Sequence, residues 1–382
     1  MLSFFNVPKY SVFLFIFINL LSFIHPIQAT LCNGHESLCS RRYNEVTYLI
    51  THDSYAHGNN IAATQNEPII QQLNKGVRGL KFSAKKDPSN LHLCHTSCTI
   101  LDAGSAIDNL NKISAWLKEN PGEIVTIFWN NLYNYDINYL TAAYETSTVV
   151  PYIYTHEQQD HPWPTLQEMI DSGKRLVNFV DVGADTSKTP WLMDEFSFVF
   201  ETPYDNTNPD EFKCTIDRPK DLQNSENMMY VVNHFLYGVI EIGMKIEVPQ
   251  RDKARETNGD SLQKHVDECS EIFQRKPNFI EVDFYEQGQA LQYVATFNGV
   301  PPPSSVSSTD TTDGEPVVDA SKTSPNAFEE IREKGRKISH VIIDNISSSA
   351  NPIITTNNSS LLSSIVISSL LVIVFLTNNI LY

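Results

Sequence analysis

A series of short, apolar, β-rich runs separated by stretches of helical period limits what this chain can fold into. The runs fall at residues 46–50, 79–84, 91–94, 124–129, 176–180, 196–201, 229–232 and 279–282. Between them, Ile107, Leu110, Ile113, Trp116 and Leu117 share one helical face, and Asn120-Pro121-Gly122 stops that helix. Leu262, Val266, Cys269, Ile272 and Phe273 make a second such stripe. Strands that alternate with helices pair in parallel. About eight of them across roughly 270 residues suit an α/β fold of the (β/α)8 barrel type.

Polar residues then recur at the ends of the runs. His52 and Asp53 follow the first, and His95 follows the third. Asn130, Asn131, Asp181, Asn233, His234 and Asp283 follow or close later ones. Any one of these reads as a helix cap. In a barrel, however, all of them open on the face where barrel active sites sit. Two histidines at one mouth, with carboxylates beside them, suit acid–base chemistry near neutral pH.

The two ends of the chain read as processing signals. The apolar run 12–24, ending in Pro26-Ile27-Gln28-Ala29, has the form of a secretory signal over residues 1–29. At about 13 residues it falls short of the ~20 that a spanning helix needs. Residues 359–382 carry an uncharged apolar tail behind Asn357-Asn358-Ser359-Ser360, the form of a GPI-anchor signal. A true tail anchor is the alternative. Residues 301–358 are rich in Ser, Thr and Pro and lack the apolar density to pack, so they read as a flexible stalk. Within them the patch 328–336 is amphipathic, and Asn345, Asn357 and Asn358 are glycosylation sequons. The folded domain expected is 30–300.

A formal charge of −17 makes nucleic acid an unsuitable partner and gives no general pull towards anionic lipid. Phosphate chemistry must therefore rest on local cations. All six cysteines, Cys32, Cys39, Cys94, Cys98, Cys214 and Cys269, lie in the exported part. Export suggests disulfides. Fifteen connectivities exist for six cysteines; proximity favours Cys32–Cys39 and Cys94–Cys98, leaving Cys214–Cys269. A metal site at Cys94-x-x-x-Cys98 is the weaker reading.

The motifs Thr51-His52-Asp53-Ser54-Tyr55, Gly76-Val77-Arg78-Gly79-Leu80 and Leu93-Cys94-His95 resemble the first half of a phosphatidylinositol-specific phospholipase C X domain. Leu101-Asp102-Ala103-Gly104, Asn233-His234-Phe235 and Val282-Asp283-Phe284-Tyr285 extend the similarity to secreted fungal PLC-like phosphodiesterases, in order over about 31–300. The resemblance implies a distorted TIM barrel. It also implies that His52 takes the proton of an inositol 2-hydroxyl as that oxygen attacks phosphorus, while His95 protonates the departing glycerol oxygen. Asp283 would orient His52. Asn130, Asn131, Asp181 and His234 are candidates to bind the headgroup.

The chain departs from that family at the second strand. Calcium-dependent members carry an acidic pair there, and bacterial members an Asp and an Arg; this chain has Lys81 and Ser83. Asp53 also replaces an asparagine ligand. Alternate strand residues share a face, so Lys81 and Ser83 would both point into the mouth. No cofactor is expected, since the calcium ligands are replaced. Either Lys81 supplies the cation, or it pairs with Asp53 or Asp283 and the electrostatics are lost. The expected function is a calcium-independent phosphodiesterase of phosphatidylinositol-like lipids at the outer cell surface. The alternative is a catalytically impaired cell-surface module that binds a phosphorylated headgroup or glycan.

Overall fold

The computed structural model describes residues 31–302 apart from 87–89, 96–97, 157–159 and 242–244. They belong to the first of two compact units, Met1–Ser305. The readings of the N-terminal signal, the C-terminal signal, the sequons and nearly all of the stalk lie outside the described residues.

Twelve strands are described: β1 (Tyr48–Thr51), β2 (Gly79–Lys86), β3 (Leu91–His95), β4 (Leu101–Ser105), β5 (Val125–Asn130), β6 (Leu176–Val180), β7 (Leu192–Asp194), β8 (Val199–Glu201), β9 (Met229–Asn233), β10 (Tyr237–Glu241), β11 (Lys245–Pro249) and β12 (Phe279–Val282). Eight of these run in the order β7-β6-β5-β2-β1-β12-β9-β8, all paired in parallel. The sheet curls into a half-barrel. It does not close: β7 and β8 end the order unpaired with each other, and the short helix Glu195–Phe198 spans that seam.

The strands form where apolar and β-branched residues can be buried on both faces, as parallel sheets require. Outward residues such as Leu49, Leu80, Phe82, Ile127, Trp129 and Val232 pack under the helices. The helix Ala106–Glu119 presents Leu110, Ile113 and Leu117 to that layer; its first turn is capped by Ser105, which accepts from the Asp108 amide. Inward residues change character along each strand. At one end lie Tyr48, Ile50, Phe128, Val177, Phe179, Val231 and Phe279. Two residues further along, the inward positions hold His52, Asn130, Asp181, Asn233 and Glu281. Gly79 is required between the two layers, because a Cβ there would lie 2.4 Å from the Ile50 Cγ1.

Two of the expected strands need correction. The run 91–94 is not a barrel stave: β3 pairs antiparallel with the far end of β2 and with β4, arching beside the mouth. Of the run 196–201, only Val199–Glu201 is strand, since the residues before it cross the seam as helix. The eighth stave is instead Leu192–Asp194, too short to stand out as an apolar run. The disulfides are Cys32–Cys39, Cys94–Cys98 and Cys214–Cys269, with Cα separations of 5.1, 4.8 and 5.0 Å. Cys94 and Cys98 are thus bonded to each other and are not thiolate ligands. The three bridges are consistent with an extracellular location. No helix among the described residues is long and apolar enough to cross a membrane.

Candidate active site

The polar strand ends enclose a chamber of about 240 Å³. His52, Asp53, Lys81, Ser83, His95 and Asn130 line it, together with Tyr204, Arg218, Asn233, Phe235, Tyr237 and Glu281.

One side is built around a carboxylate. Asp53 follows β1 with φ 38°, a left-handed conformation that Asp tolerates better than most residues. Its Oδ2 lies 3.1 Å from His95 Nε2 and 3.6 Å from His52 Nε2. Its Oδ1 accepts from the Ser83 hydroxyl at 2.9 Å. His52 Nδ1 meets Asp283 Oδ1 at 2.9 Å, and the imidazole stacks on Phe235 with ring centroids 4.0 Å apart. With Nδ1 donating to Asp283, Nε2 is the nitrogen free to transfer a proton. The Tyr237 hydroxyl also approaches it, at 3.2 Å.

The charges of this side support one another. Burial alone would drive the proton off His52, but the carboxylates of Asp283 and Asp53 outweigh it and push the imidazole up to about 9. Burial likewise opposes charge on Asp53; the two histidines overcome it and hold the carboxyl well below its usual range. Burial raises Asp283, which the His52 charge only partly offsets. His95 is brought in by the β3 arch, whose end is fixed by Cys94–Cys98 and by the Tyr55 hydroxyl donating to the Cys94 carbonyl at 3.1 Å.

The other side is built around Glu201. Lys81 Nζ donates to Glu201 Oε1 at 2.9 Å and lies 3.7 Å from Glu195, so neither Asp53 nor Asp283 is its partner. Arg218 Nε donates to Glu201 Oε2 at 2.9 Å, and one of its terminal nitrogens bonds the same oxygen. Burial disfavours a charged Glu201, yet Lys81 and Arg218 together hold it ionised. Burial pushes Glu195 up against the pull of the Lys81 charge, and the Glu201 charge adds to the rise. Burial lifts Glu281 to about 6.

The remaining expected residues divide. Asn130 lines the chamber, and its Oδ1 is a buried acceptor with no partner among the described residues. Glu281 Oε2 and His95 Nδ1 are unpartnered there in the same way, which leaves polar capacity for a polar ligand. Asp181 stands at an inward position but does not line the chamber; it accepts from the Asn131 amide at 2.7 Å and lies 3.9 Å from Arg218. Asn131 is used up in its own loop, bonded to Tyr135 and Val182. His234 is a correction. As the neighbour of an inward residue it points outward, stacks on Phe212, and bonds His265 at 2.9 Å and the Thr257 carbonyl at 3.0 Å. Burial lowers its basicity far below normal.

Sequence reasoning missed Arg218, Glu195, Glu201, Phe235, Tyr237 and Glu281 as members of the site. Glu201 and Glu281 were findable, since each stands at an inward position of a strand end. Arg218 carries no periodic signal at all.

A parallel half-barrel with two histidines joined by one carboxylate at its strand ends defines the class. The PI-PLC X family model matches residues 38–298, and the chain belongs to that family. Among its relatives is a PI-PLC X domain-containing protein 1 of Arthroderma benhamiae, 37% identical over 281 residues, covering 72% of this chain and 91% of that one. An uncharacterized secreted protein of the same organism is 34% identical over 290 residues, covering 72% of this chain and 65% of the relative. Among solved structures, the phosphatidylinositol-specific phospholipase C of Listeria monocytogenes is similar with a TM-score of 0.46 and 17% identity, over 68% of this chain and 95% of that one.

The calcium of some family members does not fit these donors. A calcium site needs six or more oxygens, several of them carboxylate. Here the Lys81 ammonium occupies the second-strand position, Glu201 is taken by two cations, and Asp53 is taken by two histidines.

Proposed function

We propose that the protein cleaves phosphatidylinositol-like lipids as a phosphodiesterase, by two-histidine acid–base catalysis without calcium. The observation that carries this reading is the convergence of His52 and His95 on Asp53, with Asp283 fixing the His52 tautomer. Neutral His52 Nε2 takes the proton of the inositol 2-hydroxyl. That oxygen attacks phosphorus, the bond from phosphorus to the glycerol oxygen breaks, and His95 protonates the leaving oxygen. The products are a cyclic inositol phosphate and diacylglycerol. Phe235 stacks on the His52 ring, and the positive charge of Lys81 and Arg218 in the chamber wall favours an anionic group there.

The test is release of cyclic inositol phosphate from phosphatidylinositol vesicles by the purified protein, with calcium and with chelator. Product that persists in chelator and disappears in His52→Ala is expected. The second reading is a module that binds a phosphorylated headgroup without turnover. It is favoured by one observation: Glu201 already neutralises part of the charge of both Lys81 and Arg218. Headgroup binding with no product under either condition would select it. The same proposal places the protein at the outer cell surface on a GPI anchor, and loss of surface attachment on deleting residues 359–382 is the corresponding check.

A further inference from the structure

We propose that Arg218, reaching in from the connection between β8 and β9, grips the phosphate oxygens in the chamber, while Lys81 is a positioning residue that acts through Glu201. The inference rests on the chamber being a phosphodiester site. It differs from the arrangement that the second strand suggests, because the cation comes from another part of the chain.

Besides the histidines, Lys81 and Arg218 line the chamber, and they are not equivalent. Lys81 is 2% exposed. It lies in register with Phe128, one layer below Ser83 and Asn130, with its ammonium 5.3 Å from the Phe128 ring centroid. Glu201 holds that ammonium at 2.9 Å and Glu195 lies 3.7 Å away. Swinging it up to a substrate would strand the buried Glu201 charge, which is costly. Lys81 therefore stays where it is and fixes Glu201.

Arg218 is anchored along one edge only. Nε and one terminal nitrogen bond Glu201 Oε2, which sets the plane of the guanidinium. Tyr204 lies 4.4 Å and Phe196 5.5 Å from its central carbon. The other terminal nitrogen has a single charged neighbour among the described residues, Asp181 at 3.9 Å, which is beyond hydrogen-bond reach. A guanidinium has five donors in a fixed fork that matches phosphate oxygens. With one edge held by Glu201, the rest of the fork remains for an anion, and the side chain is still 20% exposed.

The topology explains how this residue arrives. β8 ends the open sheet, and the backbone of Arg218 bridges Glu201 in antiparallel fashion, with Glu201 N–H donating to the Arg218 carbonyl at 2.9 Å. A closed barrel would have a strand in that place. The seam lets a loop residue enter instead.

The experiment is calorimetric titration of the full chain with inorganic phosphate and, separately, with uncharged myo-inositol, alongside lipid turnover. Arg218→Gln is expected to weaken phosphate at least 10-fold, leave myo-inositol unchanged, and lower kcat by about 100-fold. Guanidinium added to Arg218→Ala should restore part of the turnover, which a purely structural role would not allow. Arg218→Lys keeps the charge that Glu201 needs, so it serves if the Gln variant does not fold, and it should still lose most of the phosphate affinity. Lys81→Met should change phosphate affinity less than Arg218→Gln does. Phosphate binding unchanged in both Arg218 variants overturns the proposal, as does loss in Lys81→Met alone. If the wild type binds phosphate through Arg218 yet releases no cyclic product, the lyase reading fails and this inference stands.

Discussion

The chamber has two sides made on different principles. On the histidine side, Asp53, His52, His95 and Asp283 all sit at or just after strand ends, and the strands themselves aim them. On the cation side, Lys81, Glu195, Glu201 and Arg218 come from a strand, a seam helix, an edge strand and a loop, and they are held chiefly by one another. The first side depends on backbone geometry. The second depends on a buried charge network in which one carboxylate serves two cations. The histidine side should therefore tolerate substitution without unfolding, and the cation side should not.

The largest expected effect tests the histidine side. His52→Ala and His95→Ala should each lower kcat by roughly 10²–10⁴ with the circular dichroism spectrum unchanged. On the cation side, Glu201→Ala should destabilise the protein by about 3–5 kcal/mol, measured by denaturant unfolding, because it leaves the buried Lys81 without its counterion and Arg218 without its anchor. A Glu201→Ala variant as stable as the wild type would erase the distinction between the sides.

The disulfides give a smaller contrast. Removing Cys214–Cys269, which closes a loop of 55 residues, should cost about 4 kcal/mol. Removing Cys94–Cys98 should cost about 2 kcal/mol, while lowering activity more because it frees the arch that carries His95. Unfolding and turnover measured on the same two variants would show whether the effects separate in this way.

Smaller again is the pH effect. His52 must lose its proton to act as a base while His95 keeps one to act as an acid, so kcat/KM should pass through a maximum in pH, with His52 setting one limb near 9. Asp283→Asn removes the nearest carboxylate and should move that limb towards the ordinary 6.5, with a lower plateau. Because its folded value is raised, protonated His52 contributes stability that is complete below about 6.5 and lost as pH rises through about 9. His52→Ala should flatten the stability curve across that window.

The two sides also differ in how far they could be read from the sequence. Period-two burial followed by a polar residue marks His52, Asp283 and Asn130, because the strand that buries Ile50 or Phe128 carries the next inward residue to the mouth. It failed for His234, where the inward residue is Asn233 and the histidine one step later faces out. It placed His95 near the mouth but mistook β3 for a stave, since a run of apolar residues does not reveal parallel or antiparallel pairing. The partners of Lys81 could not be read, because its contact with Glu201 joins residues 120 apart in sequence. Arg218 depends on a gap in the sheet, and the presence of a gap is a property of the whole strand order rather than of any segment.

That gap also has a consequence for how the sheet edge is protected. A sheet that stops short leaves a row of unsatisfied main-chain groups able to recruit a strand from another molecule. Here the backbone of Asp217 and Arg218 lies along β8 and takes up the Glu201 amide and carbonyl. The cover is made by main-chain atoms, so it survives any exchange of the Arg218 side chain. The backbone of this short segment covers the sheet edge while the side chain of Arg218 turns to Glu201, so the two jobs fall to different atoms and one can change while the other is kept.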